Sequence, residues 1–370
     1  MSFLNTVVGF LKKLVLFILI VAIAIPLRYG STDPKYLCVR LLHSILTLKH
    51  SLVSDQARPT LSTNYRAFEN MLKMMPSPEL DTSADPLTVI IGIRSSFDMN
   101  SLIPKPSECQ IKKEVFEHDG HVVDGYWVNY PPKDIQKHSD KILLYFHSGG
   151  YFLGDIHSFS GFECRLSQIF NVTILHLEYR LCPEHPLPAA VDDAVVIYRA
   201  LLRQNISSSQ LIVMGDSSGG GLALLAVQAL IAHQLPVPRG VIVLSPVTDL
   251  SMSSESYIRN QHTDISPQFD KNWYIALLLG SNHAQLSPDD SRFSPLFGSF
   301  KGFPPMYINV GTAEKMEDDS RRVWKKAKEA NVDVTFEEGL HMTHIYPVFF
   351  LYYSEARNTI DNINKWIQTI

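Results

Sequence analysis

The stretch Gly215-Asp216-Ser217-Ser218-Gly219 places a serine between two glycines, directly after the apolar run Leu211–Met214. A segment of helix length, from Leu222 to Leu230, follows it. G-x-S-x-G between a strand and a helix is the arrangement that exposes a serine hydroxyl above a sheet as a nucleophile. The glycines allow the sharp turn, because a Cβ atom beside the strained serine would crowd the backbone. A phosphate-binding loop is the competing interpretation, but the P-loop lysine and the dinucleotide spacing are both missing.

A second glycine turn, His147-Ser148-Gly149-Gly150, ends the apolar run Ile142–Phe146. Consecutive glycines at a strand end allow backbone N–H groups to point toward one position. Acyl transfer needs such donors where negative charge develops on the carbonyl oxygen. We therefore expect an oxyanion hole formed by the N–H groups of Gly149, Gly150 and Ser218.

These turns belong to a series of short apolar runs separated by segments of helix length. Strands without alternation are buried on both faces, which predicts a mostly parallel sheet covered by helices on each side. A hairpin around Asp119-Gly120 precedes the series. Active sites in such sheets lie at the carboxyl ends of the strands, where both glycine turns fall. The runs are Ile142–Phe146, Val172–Leu177, Leu211–Met214, Val241–Leu244, Met306–Val310 and Val334–Phe336.

Together these motifs resemble those of the hormone-sensitive lipase group of α/β-hydrolases, which includes arylacetamide deacetylases and steryl acetyl hydrolases. That group carries H-G-G-G, then Y-R-L-A-P-E, then G-D-S-A-G-G. Here the same order is found in His147–Gly150, Tyr179–Glu184 and Gly215–Gly220. Ser148 stands for the first glycine of H-G-G-G, and Cys182 stands for an alanine. The resemblance implies an α/β-hydrolase fold with a helical cap, ester hydrolysis, and no cofactor or metal.

The resemblance also implies the partners of the serine. The family pattern G-x-x-D-P-L-x-D-E places the acid at Glu314, with Asp318 as the reserve. The family histidine falls on His344, or on His341 if the loop is shifted. A serine hydroxyl needs a base, and the base needs an orienting carboxylate, so the expected triad is Ser217, His344 and Glu314.

The first thirty residues differ from the rest of the chain. Leu14–Leu27 is an unbroken apolar run with basic residues on both sides. Phe10–Tyr29 is long enough to cross a bilayer if the lysines within it snorkel to the headgroups. We interpret it as a single-pass anchor. A signal peptide cleaved near Ala22-Ile23-Ala24 and an apolar helix buried in the protein remain alternatives.

Between the anchor and the sheet, apolar spacing predicts a helix at 36–53 with one apolar face and a second helix at 64–75. Residues 76–107 are rich in proline and serine and are interpreted as a connection. The predicted organisation is an anchor at 1–30, cap helices and a connection at 31–107, and a catalytic domain at 108–370 with a cap insertion at about 252–290.

Composition narrows the class of protein further. Apolar residues make up 45% of the 370-residue chain, which excludes a disordered protein. The net charge of -4 gives no basic surplus, so we expect no nucleic-acid partner. Four cysteines are too few for a disulfide scaffold, and they lack the spacing of a zinc site.

Two sequons begin at Asn171 and Asn205, which are therefore candidate glycosylation sites. With the anchor, they favour a catalytic domain in the lumen of the endoplasmic reticulum, in type II orientation. Secretion after signal cleavage is the alternative.

The sequence thus predicts a serine esterase or lipase acting through an acyl-enzyme. The resemblance suggests short-acyl esters of apolar or lipid alcohols as substrates, and the anchor suggests a membrane partner. Two alternatives stay open. One is a catalytically inactive ligand-binding protein on the same fold, and the other is an acyltransferase or peptidase with the same triad.

Overall fold

An eight-stranded sheet forms the centre of the protein. The computed structural model describes residues 27–53, 58–74, 86–129, 140–266 and 268–370. The strands are β1 Ile111–His118, β2 His121–Val128, β3 Ile142–Phe146, β4 Thr173–Glu178, β5 Leu211–Asp216, β6 Gly240–Leu244, β7 Met306–Gly311 and β8 Val334–Gly339. Their order in the sheet is β1-β2-β4-β3-β5-β6-β7-β8. β1 pairs with β2 and β2 with β4 in antiparallel fashion, and the remaining pairs are parallel. The predicted mostly parallel sheet is confirmed.

Two hydrophobic clusters lie on opposite faces of this sheet. Successive side chains of a strand point to opposite faces, so Val243 of β6 joins one cluster and Leu244 joins the other. The helices are α1 Pro34–Ser51, α2 Thr63–Met74, α3 Pro86–Ser96, α4 Ile156–Phe170, α5 Ala189–Arg203, α6 Ser218–Ala232, α7 Ser256–Arg259, α8 Lys271–Leu279, α9 Glu317–Glu329 and α10 Ser354–Thr369. Helices α5, α6 and α9 contribute to the first cluster, and α1, α2, α4 and α10 to the second.

Helices α1 and α2 pack on the second cluster beside the last part of the chain. The Phe68 ring of α2 lies 4.7 Å from the ring of Phe349 and 4.8 Å from that of Tyr352, measured between centroids. The helix predicted at 36–53 forms. Its buried residues, however, are Tyr36, His43 and Leu46, and most of the leucines of its predicted apolar face lie outward.

The sequence predicted only a connection at 76–107. This prediction is wrong for residues 86–107, the part of the segment that the structure describes. Helix α3 and a 3-10 helix at Met99–Ser101 lie there. Pro86 fits the first turn of α3, where its missing N–H is not needed. Ile90 is buried in the first cluster, and the Arg94 Nε donates to the Phe152 carbonyl oxygen at 2.7 Å. Packing against the rest of the protein outweighs the proline and serine signal.

The predicted anchor at 1–30 lies almost entirely outside the described residues, as does the cleavage-site alternative, and both stay predictions. Across residues 27–53 and the later described ranges, no helix combines the length and apolarity needed to span a bilayer. The insertion predicted at about 252–290 contains α7, α8 and a 3-10 helix at Gly280–Gln285.

One disulfide bond ties the segment before β1 to the middle of α4. It joins Cys109 to Cys164, which are 55 positions apart in sequence and have their Cα atoms 5.9 Å apart. Cys38 and Cys182 are free, the first exposed and the second buried. A single cross-link agrees with the expectation that the four cysteines do not build a disulfide scaffold.

Replacing both bonded cysteines, Cys109→Ala with Cys164→Ala, should lower the free energy of unfolding by about 2–4 kcal/mol, because the bond restricts the unfolded chain. Urea unfolding of the oxidised protein measures this change. Cys38→Ala is the matched control, since that thiol is exposed and unbonded, and it should leave the midpoint unchanged. An unaltered midpoint in the double variant would show that the bond does not stabilise the fold.

Candidate active site

Ser217 lies in a strained turn between β5 and α6, with φ 54° and ψ -119°. Its N–H donates to the Leu244 carbonyl oxygen at 2.8 Å, and its own carbonyl oxygen accepts from the Val247 N–H at 2.9 Å. A Cβ atom at Gly215 would lie 2.2 Å from the carbonyl oxygen of Gly219. The turn therefore needs glycines on both sides, and it holds the serine in a conformation that L-residues rarely adopt.

The three residues predicted to act together are in direct contact. His344 Nε2 lies 2.9 Å from the Ser217 Oγ, and His344 Nδ1 lies 2.5 Å from the Glu314 Oε2. Glu314 follows β7, and His344 follows β8, so the carboxyl ends of neighbouring strands bring them together. With Nδ1–H donating to the carboxylate, Nε2 is left to accept the serine proton.

The two reserve residues lie elsewhere. The Asp318 carboxylate accepts from the Ser256 N–H at 2.9 Å and pairs with Arg259 at 2.9 Å. The backbone of His341 donates to Thr312 Oγ1 at 2.7 Å, in a left-handed conformation with φ 62°. Neither side chain has a described hydrogen bond to the serine or to its histidine partner.

Sequence reasoning gave no role to Ser245, which completes the network. Its Oγ donates to Glu314 Oε1 at 2.7 Å and accepts from the Ile345 N–H at 3.0 Å. The Gly311 N–H donates to the same carboxylate oxygen at 2.6 Å. Ser245 thus fixes both the acid and the loop that carries His344. The sequence did contain a signal that could have identified Ser245, since it is a polar residue directly after the buried strand β6.

Electrostatics in the buried network stabilise the charged form of the His344 imidazole relative to a free histidine. Burial alone lowers the pKa of His344, but the hydrogen bond and charge of Glu314 outweigh it, so the pKa is raised above its ordinary value. Asp216, beside the serine, is also buried, and burial raises its pKa to about 6 although it accepts a hydrogen bond from the Tyr145 hydroxyl.

The predicted oxyanion donors lie on two turns next to Ser217. Gly149 and Gly150 have φ 123° and 64°, and a Cβ atom at Gly149 would lie 2.1 Å from the Leu153 carbonyl oxygen. Ser218 is the first residue of α6, where backbone N–H groups have no helical acceptor. In the described part of the chain, no hydrogen bond uses the N–H of any of the three.

A buried histidine supports this loop from behind. His147 Nδ1 lies 2.7 Å from the Ser148 carbonyl oxygen, and its ring stacks on Tyr179 at 4.2 Å. Burial lowers the pKa of His147 to about 4, so the ring is neutral and donates to that carbonyl. The Ser148 carbonyl and the Gly149 N–H point in opposite directions across a trans peptide. Holding the carbonyl therefore directs the N–H away from His147.

His147 also belongs to the one group of possible metal ligands found among the described residues. Ligand atoms of His147, His176 and Glu178 lie within 4.8 Å of one another. His176 Nδ1 is 2.6 Å from Glu163, and its Nε2 is 3.4 Å from Glu178. Although burial opposes its charge, the two carboxylates raise the pKa of His176 to about 10. The group is thus a buried ion-pair cluster, and it has no described hydrogen bond to Ser217.

A cavity of about 450 Å³ lies over the serine. Its wall is mainly apolar, a composition and size that suit a small organic ligand. The insertion after β6 supplies Phe269 and Tyr274, whose rings stack at 5.7 Å, and the segment after α3 supplies Phe97 and Met99. Neither α1 nor α2 lines the cavity.

The two sequon asparagines lie at the surface. Asn171 ends α4 and Asn205 follows α5, both in left-handed conformations and both exposed. Each is open to solvent, as a glycosylation acceptor must be.

Comparisons with known proteins agree with this geometry. A family model described as the alpha/beta hydrolase fold matches residues 143–348. The chain is 32% identical over 238 residues to an "Esterase" of Acinetobacter venetianus, covering 64% of this chain and 77% of the relative. It is 34% identical over 232 residues to an "Acetyl-hydrolase" of Streptomyces hygroscopicus, covering 62% and 76%.

A comparison with a solved structure also identifies an esterase. An esterase from the bacterial hormone-sensitive lipase family aligns with a TM-score of 0.65 and 26% identity, over 92% of this chain and 99% of that one. The family match spans more than half of the chain and includes all three residues of the Ser217 network. The chain therefore belongs to the α/β-hydrolase fold family, among proteins like hormone-sensitive lipase, and it is a carboxylic ester hydrolase.

Proposed function

We propose that Ser217, His344 and Glu314 form the catalytic triad of an esterase that works through an acyl-enzyme. One observation carries this proposal, the continuous chain of hydrogen bonds from the carboxylate through the imidazole to the serine hydroxyl at the cavity wall. An inactive binding protein would have no need of a complete chain.

In the proposed mechanism the Ser217 Oγ attacks the ester carbonyl carbon while His344 Nε2 takes the serine proton. The carbonyl oxygen gains the negative charge and accepts hydrogen bonds from the N–H groups of Gly149, Gly150 and Ser218. The intermediate collapses, and His344 gives its proton to the leaving alcohol. Water then attacks the acyl group, with the imidazole again as base, and the serine is released.

Glu314 stabilises the imidazolium that forms in each half of this cycle. Its Oε1 already accepts from Ser245 and Gly311, so its Oε2 is fixed toward His344 Nδ1. A carboxylate held by three donors keeps its position while the charge on the ring changes.

For the substrate we propose an ester of a short acyl chain, such as acetyl, with an apolar or lipid alcohol such as a sterol. The aromatic wall at Phe152, Phe269 and Tyr274 supports an apolar group, and the acetyl-hydrolase relative supports a short acyl chain. The cap insertion at about 252–290 would then determine the shape of the site, with Phe97 and Met99 of segment 31–107 at its edge.

For the location we propose the lumen of the endoplasmic reticulum, with residues 1–30 as the anchor. The disulfide between Cys109 and Cys164 supports an oxidising compartment. The exposed positions of Asn171 and Asn205 are compatible with glycosylation there.

Ser217→Ala should lower kcat for an aryl ester on the order of 10⁴- to 10⁶-fold, and His344→Ala should match it, because a triad acts as a unit. His341→Ala is the matched control and should keep most activity. Labelling with a fluorophosphonate reports the same nucleophile and should disappear in Ser217→Ala. Retained labelling, or an inactive His341→Ala beside an active His344→Ala, would overturn the assignment.

Glu314→Gln should lower kcat about 10⁴-fold, because an amide does not hold the required imidazole tautomer. The base is active only when neutral, so activity is lost as pH falls through the pKa of His344. Since the Glu314 carboxylate raises that pKa, its removal should move the acidic limb of the residual kcat/KM profile to lower pH. Asp318→Asn is the control and should leave rate and limb in place. An unmoved limb in Glu314→Gln would contradict the role of the carboxylate.

A series of p-nitrophenyl esters should be hydrolysed with higher kcat/KM for acetate and butyrate than for palmitate, since the cavity has a volume of only about 450 Å³ and bulky aromatic rings form part of its wall. Steady-state assays in the presence of an added alcohol measure where the acyl group goes. Free acid should be the main product. Predominant transfer to the alcohol would instead make the protein an acyltransferase.

A further inference from the structure

Helix α1 and its capping residue Leu52 present an apolar stripe to the outside, which begins in the second turn of the helix. The outward positions follow one another by three or four residues, which places them on one face. The exposed fractions of Leu41, Ile45, Leu48 and Leu52 are 46%, 58%, 65% and 79%. Cys38, one turn earlier, is exposed as well. We call these five residues the outward stripe.

Several polar side chains in the middle of α1 lie on the opposite, inner side. His43 Nε2 lies 2.9 Å from the Asn64 carbonyl oxygen, and the Arg40 Nη1 donates to the Leu351 carbonyl oxygen at 2.7 Å. Thr47 bonds to the Asn64 side chain at 3.3 Å. A surface helix in water keeps polar residues on its outer side. The inner side of α1 buries Tyr36 and Leu46 beside these polar groups, and the outer side is apolar too. Such an outer side fits a helix whose outer surroundings are apolar.

The charges of α1 fit an anionic surface beside an apolar one. Lys35 and Lys49 are exposed near its two ends, and the helix contains no acidic residue. Arg28 is exposed a few residues before the helix. Basic residues that flank an apolar stripe are typical of helices lying in a membrane interface.

Another apolar segment lies just before α1 in the sequence. Six residues separate the end of the apolar run Leu14–Leu27 from the start of the helix at Pro34. Leu27 and Pro34, seven positions apart, therefore lie at most about 25 Å from each other. Any surface that takes up this apolar run is therefore within reach of the outward stripe.

We propose that the outward stripe of α1 lies on a lipid bilayer, in the plane of the interface. The position of α1 also links that surface to the cavity. Lys35 Nζ is 3.5 Å from the Asp98 carboxylate, and Asp98 lies between the cavity residues Phe97 and Met99. The part of the cavity wall formed by these residues then lies near the bilayer, where lipid-soluble esters are concentrated. This second step rests on the proposed function, whereas the contact with lipid does not.

The native thiol of Cys38 provides the test, because it is exposed and the other free cysteine is buried. The full chain is labelled at Cys38 with the fluorophore NBD and mixed with phosphatidylcholine vesicles containing a minor fraction of phosphatidylserine. Emission should rise several-fold, shift to the blue, and be quenched by spin-labelled lipid. The matched control carries Cys38→Ser and Lys325→Cys, which moves the label to α9 on the other face of the sheet. Its emission should not change.

Three results would overturn the proposal. Unchanged emission at Cys38 in vesicle-bound protein would place the stripe outside the lipid. A blue-shifted signal without vesicles, independent of protein concentration, would mean that another part of this chain covers the stripe. A blue shift without vesicles that grows with protein concentration would assign the stripe to a second copy of the chain.

A variant separates the role of the stripe from catalysis. Leu41→Ser, Ile45→Ser and Leu48→Ser combined should lower kcat/KM for a vesicle-embedded ester by about tenfold or more, because the variant buries less apolar surface in the lipid. Hydrolysis of p-nitrophenyl acetate should stay at the wild-type level, since none of the three residues lines the cavity. Equal activity of variant and wild type on the embedded ester would contradict delivery from the bilayer. Absent activity on both esters in the wild-type protein would instead refute the proposed function, while the NBD result would still stand.

Discussion

The positive φ of Ser217 is the constraint on which the arrangement of the site depends. A strained residue keeps its conformation only when its surroundings hold it. Here the neighbouring strand holds it, since Leu244 at the end of β6 accepts the serine N–H, and Val247 in the loop after it donates to the serine carbonyl. The position of the hydroxyl thus follows from the pairing of β5 with β6. A substitution elsewhere that changed this register would therefore displace the Ser217 hydroxyl, even with Ser217 itself unchanged.

A second requirement is that the buried Glu314 carboxylate be fully bonded. A buried charge without partners is costly, and this one has three donors from three different places in the chain: Ser245, Gly311 and His344. The same interactions that lower the cost of burial also aim the carboxylate at the imidazole. The stability of the fold and the geometry of the proposed triad therefore depend on one set of hydrogen bonds. Ser245 serves both because it also fixes the loop at Ile345.

The parts that the sequence predicted well depend on local rules. Ser217 and the glycines around it follow from steric limits within a few residues, and the buried strands follow from their apolar runs. Glu314 and His344 required the family pattern, because their spacing alone left Asp318 and His341 open. Ser245 was missed because its role depends on which strand ends are neighbours. Helix α3 was missed because tertiary packing of Ile90 and Arg94 outweighs local composition. The outward orientation of the apolar face of α1 was not predicted, because the spacing of apolar residues locates such a face but does not tell what covers it.

The glycines at 149, 215 and 219 have a consequence for how such an enzyme can diverge. A side chain at any of them would collide with backbone atoms, with contacts between 2.0 and 2.2 Å. Those atoms are main-chain atoms, which cannot move aside in the way that the end of a flexible side chain can. The floor of the site therefore tolerates almost no variation. The roof, built by residues such as Met252, Phe269 and Tyr274 from the insertion after β6, carries no such restriction. New substrate ranges can arise by mutation of the roof alone, and the bond-breaking step is inherited unchanged.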